Sequence, residues 1–249
     1  MMVWLYSLLS VLVVSAISLI GIFFLSLNEK RLQRILFILV SFAVGGLFGD
    51  AFIHLLPESF GRLGAGLETS FYVIVGILIF FIVEKVILWR HCHIPTSVHH
   101  PHPVVTMNII GDGVHNLIDG MVIAASYAIS VSLGLATTLA VVLHEIPQEI
   151  GDFGVLVNGG FSPRRALFFN FLSALTALVG ALMVLVVGPH IKDLSVILLP
   201  VTAGGFIYIA GSDLIPELQH CGSMKDTALQ FLAIILGIMI MTILRIING

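Results

Sequence analysis

The sequence predicts an all-α integral membrane protein with eight transmembrane helices. The 249-residue chain is 58% hydrophobic, its mean hydropathy is +1.11, and only 10% of its residues are charged, against about 25% in soluble proteins. Two of its apolar stretches nevertheless contain five carboxylates and two histidines. Each charge at the centre of a bilayer costs about 2.5–3.5 kcal/mol, so this group requires a bound cation, of which a metal ion is the simplest.

Apolar runs of about 20 residues define the transmembrane helices, because each is long enough to cross the hydrocarbon core. Breaks with polar residues, glycine or proline separate them, for example at 28–31, 64–66 and 162–165. No length remains for a separate soluble domain, so residues 1–249 form a single transmembrane domain. The predicted spans are, in order, about 3–27, 35–58, 70–89, 104–127, 135–158, 164–188, 194–217 and 228–247.

Basic residues indicate the orientation, since short cytoplasmic loops collect lysine and arginine. With eight spans and the N-terminus outside, seven basic residues lie in inner loops and three on the outer side. Both termini are therefore expected to be extracytoplasmic, and we expect the plasma (inner) membrane. The first span has no basic residue before it, unlike a cleavable signal peptide.

The fourth and fifth spans each carry a single polar stripe. At 100° per residue, a sector of about 100° on the fourth span contains Asp112, His115, Asn116 and Asp119. A sector of about 140° on the fifth contains His144, Glu145, Gln148, Glu149 and Asp152. Both stripes are centred near mid-membrane, so they predict one site between the two helices. Pairing of these groups with each other alone is the alternative, but the excess carboxylates would repel without a cation.

The types of ligand restrict which metal ion the site can bind. Imidazole nitrogen combined with carboxylate and amide oxygen suits zinc, iron(II), manganese or cobalt, and suits calcium or magnesium poorly. Neither cysteine lies in a span, so a copper(I)-type thiolate pathway is not expected. Pro147 cannot donate to the carbonyl of Leu143, which predicts a kink beside the site. The ligands could serve two ions about 4 Å apart, or one ion passed between neighbouring ligands.

A repeated layout extends the polar residues toward both membrane faces. His54-x-x-Pro57-Glu58, His144-x-x-Pro147-Gln148 and Asp213-x-x-Pro216-Glu217 each place two potential ligands one turn apart beside a proline. Repetition around broken helices is common where transporters bind their substrate. The layout predicts an outer pathway group of Asp50, His54 and Glu58, and an inner one of Asp112, Asp152, Asp213 and Glu217.

The predicted inner loop, 90–103, is rich in histidine. Histidine and thiolate clusters bind soft or borderline metals, so an accessory metal site is one interpretation and a solvated loop without fixed structure is the other. The residues concerned are His91, Cys92, His93, His99, His100 and His102.

On these motifs the chain resembles the ZIP (Zrt/Irt-like) family of divalent-metal transporters, over essentially its whole length. The specific marks are His115-Asn116-x-x-Asp119-Gly120, His144-Glu145-x-Pro147-x-Glu149-x-Gly151-Asp152 and, in the second span, Gly49-Asp50-x-x-x-His54-Leu55-Leu56-Pro57. The similar branch usually has a second histidine where this chain has Gln148. That departure could broaden the metal range from zinc toward iron or manganese.

The resemblance implies zinc uptake into the cytoplasm without ATP, through a homodimer whose inverted repeats move relative to each other. It also implies a primary site of His115, Asp119, His144, Glu145 and Gln148, with Asn116 and Glu149 as candidates for an adjoining one. The sixth span offers that second position only Asn170, Ser173 and Thr176. Zn²⁺ is the expected transported substrate, with Fe²⁺, Mn²⁺ and Cd²⁺ as further candidates. The expected partners are these ions and the lipid bilayer; no nucleic acid or organic cofactor is expected.

Two other functions fit parts of the pattern. An intramembrane zinc metalloprotease would use a His-Glu-x-x-His helix, but Gln148 replaces the second histidine and Pro147 interrupts the helix. A proton-relaying carrier without metal would use the intramembrane acids alone, but it leaves the paired histidines unexplained. We therefore expect a metal transporter and not an enzyme.

Overall fold

The computed structural model describes residues 2–21, 29–89, 103–191, 193–219 and 224–248, and within these ranges the chain is helical with no β-strand. Predicted residues His91, Cys92, His93, His99, His100 and His102 lie outside the described residues. The main helices are α1 (Met2–Ile17), α2 (Glu29–Gly49), α3 (Leu67–Trp89), α4 (Pro103–Ile129), α5 (Val131–Asn158), α6 (Pro163–Ala174), α7 (Thr176–Val187), α8 (Leu194–Tyr208) and α9 (Met224–Asn248).

Six helical stretches of the described chain are long and apolar enough to cross a membrane. They cover Met2–Ile20, Arg34–Leu63, Leu67–Lys85, Pro163–His190, Leu194–Leu214 and Met224–Ile247. The two longest helices, α4 and α5, are not among the six because their polar stripes lower their mean hydropathy. The structure therefore confirms an all-helical, multi-pass membrane protein.

Two helices change winding at the repeated proline layout. After α2 the chain continues through a π-helical segment, Asp50–Leu55, into the short helix Leu56–Leu63. After α8 it continues through a second π-helical segment, Ile209–Leu214, into the one-turn helix Ile215–Leu218. Single π-helical turns often occur at functional sites. By contrast, α5 is helical throughout, with Pro147 in its interior.

The helices form two bundles, distinguished by their closest packing partners. The site bundle contains α1, α4, α5, α6 and α7, and the flanking bundle contains α2, α3, α8 and α9. In the site bundle α4 packs mainly on α7, where a Cβ at Gly120 would lie 1.8 Å from the carbonyl oxygen of Ala177. Only glycine permits this approach. The bundles meet where α2 packs on α5 and α8 packs on α4.

Candidate metal centre

Four ligand-type side chains of α4 and α5 meet between these helices. His115 and Asp119 are one turn apart on α4, and His144 and Glu145 are neighbours on α5. One ligand atom of each residue lies within 4.8 Å of the others. Asp119, His144 and Glu145 are completely or almost completely buried, and His115 is partly exposed.

The separations between these atoms have the size of a metal coordination shell. The Nε2 atom of His144 lies 3.2 Å from both Nε2 of His115 and Oδ2 of Asp119. Oε1 of Glu145 is 3.4 Å from Nε2 of His115 and 3.6 Å from that of His144, and the His115–Asp119 contact is 3.7 Å. Bonds of about 2.0–2.2 Å to a tetrahedral zinc ion give ligand–ligand edges of about 3.3–3.6 Å. The four residues therefore form a set that fits zinc.

The tautomer of His144 prepares it to bind a cation. Its Nδ1 lies 3.1 Å from the carbonyl oxygen of Ala140, and a carbonyl only accepts, so Nδ1 carries the proton. The lone pair on Nε2 then points at the Asp119 carboxylate and at His115. Such a bond to the second ring nitrogen is the usual way in which proteins orient a metal-binding histidine.

The two carboxylates of the cluster lack other partners. All four oxygens of Asp119 and Glu145 are buried, and none makes a hydrogen bond within the described chain. Buried polar atoms are nearly always hydrogen-bonded, and among the described residues the imidazoles are the only basic groups in contact with these two carboxylates. A cation would satisfy the whole set at once.

Gln148 lies one turn beyond His144 on α5 and is partly buried. Together with His115 it lines a cavity of about 210 Å³ that extends from the four-residue cluster toward Asp152 and Asp213. Gln148 therefore lies on the cavity side of the four-residue cluster, where it would meet an ion that moves from the cluster into the cavity.

A second polar group lies beside the first and involves α6. Asp112 accepts hydrogen bonds from Asn116, at 2.8 Å, and from the Ser173 hydroxyl. Glu149 accepts one from the Asn170 amide at 2.5 Å. Two acceptors nevertheless remain without a hydrogen bond among the described residues, Oδ1 of Asn116 and Oε1 of Glu149, and both are buried.

The inner pathway residues line the cavity, along with residues that the sequence reasoning missed. Asp112, Asp152 and Asp213 are all in the lining. Asn108 donates to Asp152 at 3.1 Å, and the Tyr208 hydroxyl donates to Glu84. Glu84 could have been found, because it is a carboxylate within the apolar run of the third predicted span. Glu217 lies in the helix Ile215–Leu218, and its side chain is outside the described part of the structure.

The outer pathway residues divide into two kinds. Asp50 and His54 lie in the first π-helical segment, fully buried and 3.3 Å apart, and face Thr137 of α5. Their four side-chain oxygen and nitrogen atoms make no hydrogen bond with any described residue. Glu58, in contrast, is partly exposed and forms a 2.6 Å ion pair with Arg62.

Several known proteins are similar in sequence to this chain, over between about half of it and nearly its whole length. Zinc transporter zipt-7.1 of Caenorhabditis briggsae is 30% identical, and the alignment covers 99% of this chain and 80% of that protein. Zinc transporter ZIP13 of Pongo abelii is 34% identical over 82% of this chain and 65% of its own length. IAA-alanine resistance protein 1 of Arabidopsis thaliana is 46% identical over 53% of this chain and 28% of that protein.

The family model described as "ZIP Zinc transporter" matches residues 1–106 and 90–245. The two segments together cover almost all of the chain, including both helices of the metal centre. Members of this family are transporters and not enzymes, which agrees with the missing second histidine of a metalloprotease helix. The chain belongs to the ZIP family of zinc transporters.

Proposed function

We propose that this protein carries divalent transition-metal ions, zinc first among them, across a membrane and into the cytoplasm. The observation that carries the proposal is the set of four ligand atoms from His115, Asp119, His144 and Glu145 at coordination-shell distances. Family membership supports transport as the use of this site, and the names of the relatives support zinc as the cargo.

The route is proposed from the position of the cavity. It begins at His115 and passes Gln148, Asp112 and Asp152, toward the end of the molecule that the basic loops mark as cytoplasmic. Carboxylates along the cavity offer further ligands to an ion that has left the primary site. A series of binding sites, none of them too tight, lets the ion be released. Asp50 and His54, the proposed outer ligands, are buried, and we propose that the route is closed at their end.

The remaining parts of the proposal rest on the sequence and, for the homodimer, on the family resemblance. Eight spans with both termini extracytoplasmic give the inner loops their excess of basic residues, and we place the protein in the plasma membrane as a homodimer. Gln148, Asn116 and Glu149 are proposed as supplementary ligands. The amide of Gln148 is a weaker zinc ligand than imidazole, so Fe²⁺, Mn²⁺ and Cd²⁺ are proposed as further substrates.

Uptake into proteoliposomes tests the proposal. Purified protein should take up zinc down its gradient, and Asp119→Ala or His144→Ala should abolish uptake. Glu68→Gln is the matched control, since Glu68 is an exposed carboxylate at the start of α3, and it should keep wild-type uptake. Wild-type flux in either site variant would refute the assignment of the site. Absence of metal flux from the correctly inserted wild type would refute transport itself.

A further inference from the structure

Two phenylalanines of the flanking bundle contact the two histidines of the metal centre. Phe80 of α3 lies edge-on to His115, with ring centroids 5.9 Å apart, and Phe206 of α8 lies edge-on to His144 at the same separation. The histidine rings are themselves 5.4 Å apart at an angle of 79°. The four rings thus form one row of edge-to-face contacts, a preferred arrangement for aromatic pairs.

The two phenylalanines at the ends of this row lie on helices α3 and α8, which pack closely together. A Cβ at Gly76 would lie 2.0 Å from the carbonyl oxygen of Val201, and one at Gly204 would lie 2.0 Å from that of Val73. These reciprocal approaches bring α3 and α8 into backbone contact. At Gly205, a Cβ would lie 2.3 Å from the Phe80 ring, so this glycine leaves the space that the ring fills.

The two histidines differ in how their own bundle holds them. The Nδ1 atom of His144 is fixed by the Ala140 carbonyl at 3.1 Å. Within the described residues His115 makes polar contacts through Nε2, which faces the other ligands, and T-shaped ring contacts with Phe80 and His144. Among the described residues His115 has no orienting hydrogen bond like that of His144, and the Phe80 ring is the contact that the flanking bundle makes with it.

We propose that Phe80 is a positioning residue of the metal centre. It holds the His115 ring with Nε2 toward the ion, so that separation of α3 and α8 from α4 and α5 frees this imidazole and weakens the site. The ligand set is then complete only while the flanking bundle lies against the site bundle. This inference rests on the proposed transport function and adds to it a link between bundle separation and ion release.

Zinc uptake by full-length protein in proteoliposomes gives the first test. Loss of an orienting partner typically lowers metal affinity by about 10–100-fold, so Phe80→Ala should raise KM roughly tenfold while the maximal rate is kept. Gly205→Ala should raise KM similarly, since it keeps the phenylalanine but displaces its ring, and Phe80→Leu should restore part of the affinity. Phe71→Ala is the matched control, because Phe71 is an exposed phenylalanine of the same helix.

Cobalt(II) binding in detergent separates positioning from a merely structural role. Its absorption bands report coordination geometry, so Phe80→Ala should change the band shape and weaken binding. In a His115→Ala background, Phe80→Ala should have no further effect, as expected when one residue acts through another.

An unchanged KM and cobalt spectrum in Phe80→Ala would overturn the proposal, as would an equal fall in maximal rate in all three variants with KM preserved. Additive losses in the double variant would overturn it as well. If wild type transports zinc and Asp119→Ala does not, these outcomes reject only the role of Phe80 and leave the proposed function standing.

Discussion

Removing one charge from the metal centre should stabilise the metal-free protein and abolish its response to zinc. One ligand oxygen of Asp119 lies within 4.8 Å of one of Glu145. Two negative charges at that distance repel by about 3.5 kcal/mol at an effective dielectric constant of about 20. Asp119→Asn removes this repulsion while changing the side-chain volume little. We therefore expect the metal-free variant to gain about 3.5 kcal/mol in unfolding free energy at a pH where both carboxyls of the wild type are ionised.

Zinc should reverse the order of the two proteins. At a zinc concentration of 1,000 times Kd, binding stabilises the wild type by about 4.1 kcal/mol, which exceeds that gain, whereas the variant lacks one of four ligands and should gain little. The assay is denaturant unfolding of detergent-solubilised protein with EDTA or with zinc, with Glu68→Gln as the control that should behave as wild type. A metal-free variant less stable than wild type, or one stabilised equally by zinc, would refute the argument.

Three further predictions concern selectivity, packing and the inner loop. Gln148→His should raise zinc uptake relative to manganese and iron(II) in competition assays, because imidazole binds zinc better than an amide. Gly120→Ala should destabilise the protein by about 1–3 kcal/mol in thermal unfolding, since its Cβ would overlap the carbonyl of Ala177. Gly61→Ala should not destabilise it, because nothing lies within 4 Å of that Cβ and alanine favours the helix. Deleting 91–102 should leave flux measured in proteoliposomes intact.

The residues of the primary cluster could be predicted because helix geometry alone brings them together. His115 and Asp119 are four positions apart and share one face of α4, and His144 and Glu145 begin the corresponding stripe of α5. The cost of burying charge in an apolar helix then indicated that the two stripes face each other. In the structure the two stripes face each other, with Nε2 of His144 3.2 Å from Oδ2 of Asp119.

Contacts between helices that are distant in sequence could not be predicted in this way. Tyr208 and Glu84 are 124 positions apart, and Asn108 and Asp152 are 44 apart. These pairs depend on how the helices dock, which hydrophobic periodicity does not specify. The pairing of Asn170 with Glu149 is of the same kind. Such contacts determine which carboxylates already have a hydrogen-bond donor.

The repeated proline layout predicted where the helices would depart from regular α-helix, but not which of them would contain a π-helical segment. Pro57 and Pro216 each follow a π-helical segment, whereas Pro147 lies within a helix that continues on both sides. All three share the same spacing to the preceding ligand-type residue. The spacing alone therefore does not specify whether the helix changes its winding.

X-ray absorption spectroscopy of zinc-loaded protein tests the central claim most directly, since it reports the atoms bound to the ion. The spectrum should show two imidazole nitrogens and two carboxylate oxygens at about 2.0–2.2 Å, with one imidazole lost in His144→Ala. Sulfur neighbours at about 2.3 Å would place the ion on a cysteine, either Cys92 or Cys221. That result, or a spectrum that His144→Ala leaves unchanged, would contradict the site between α4 and α5.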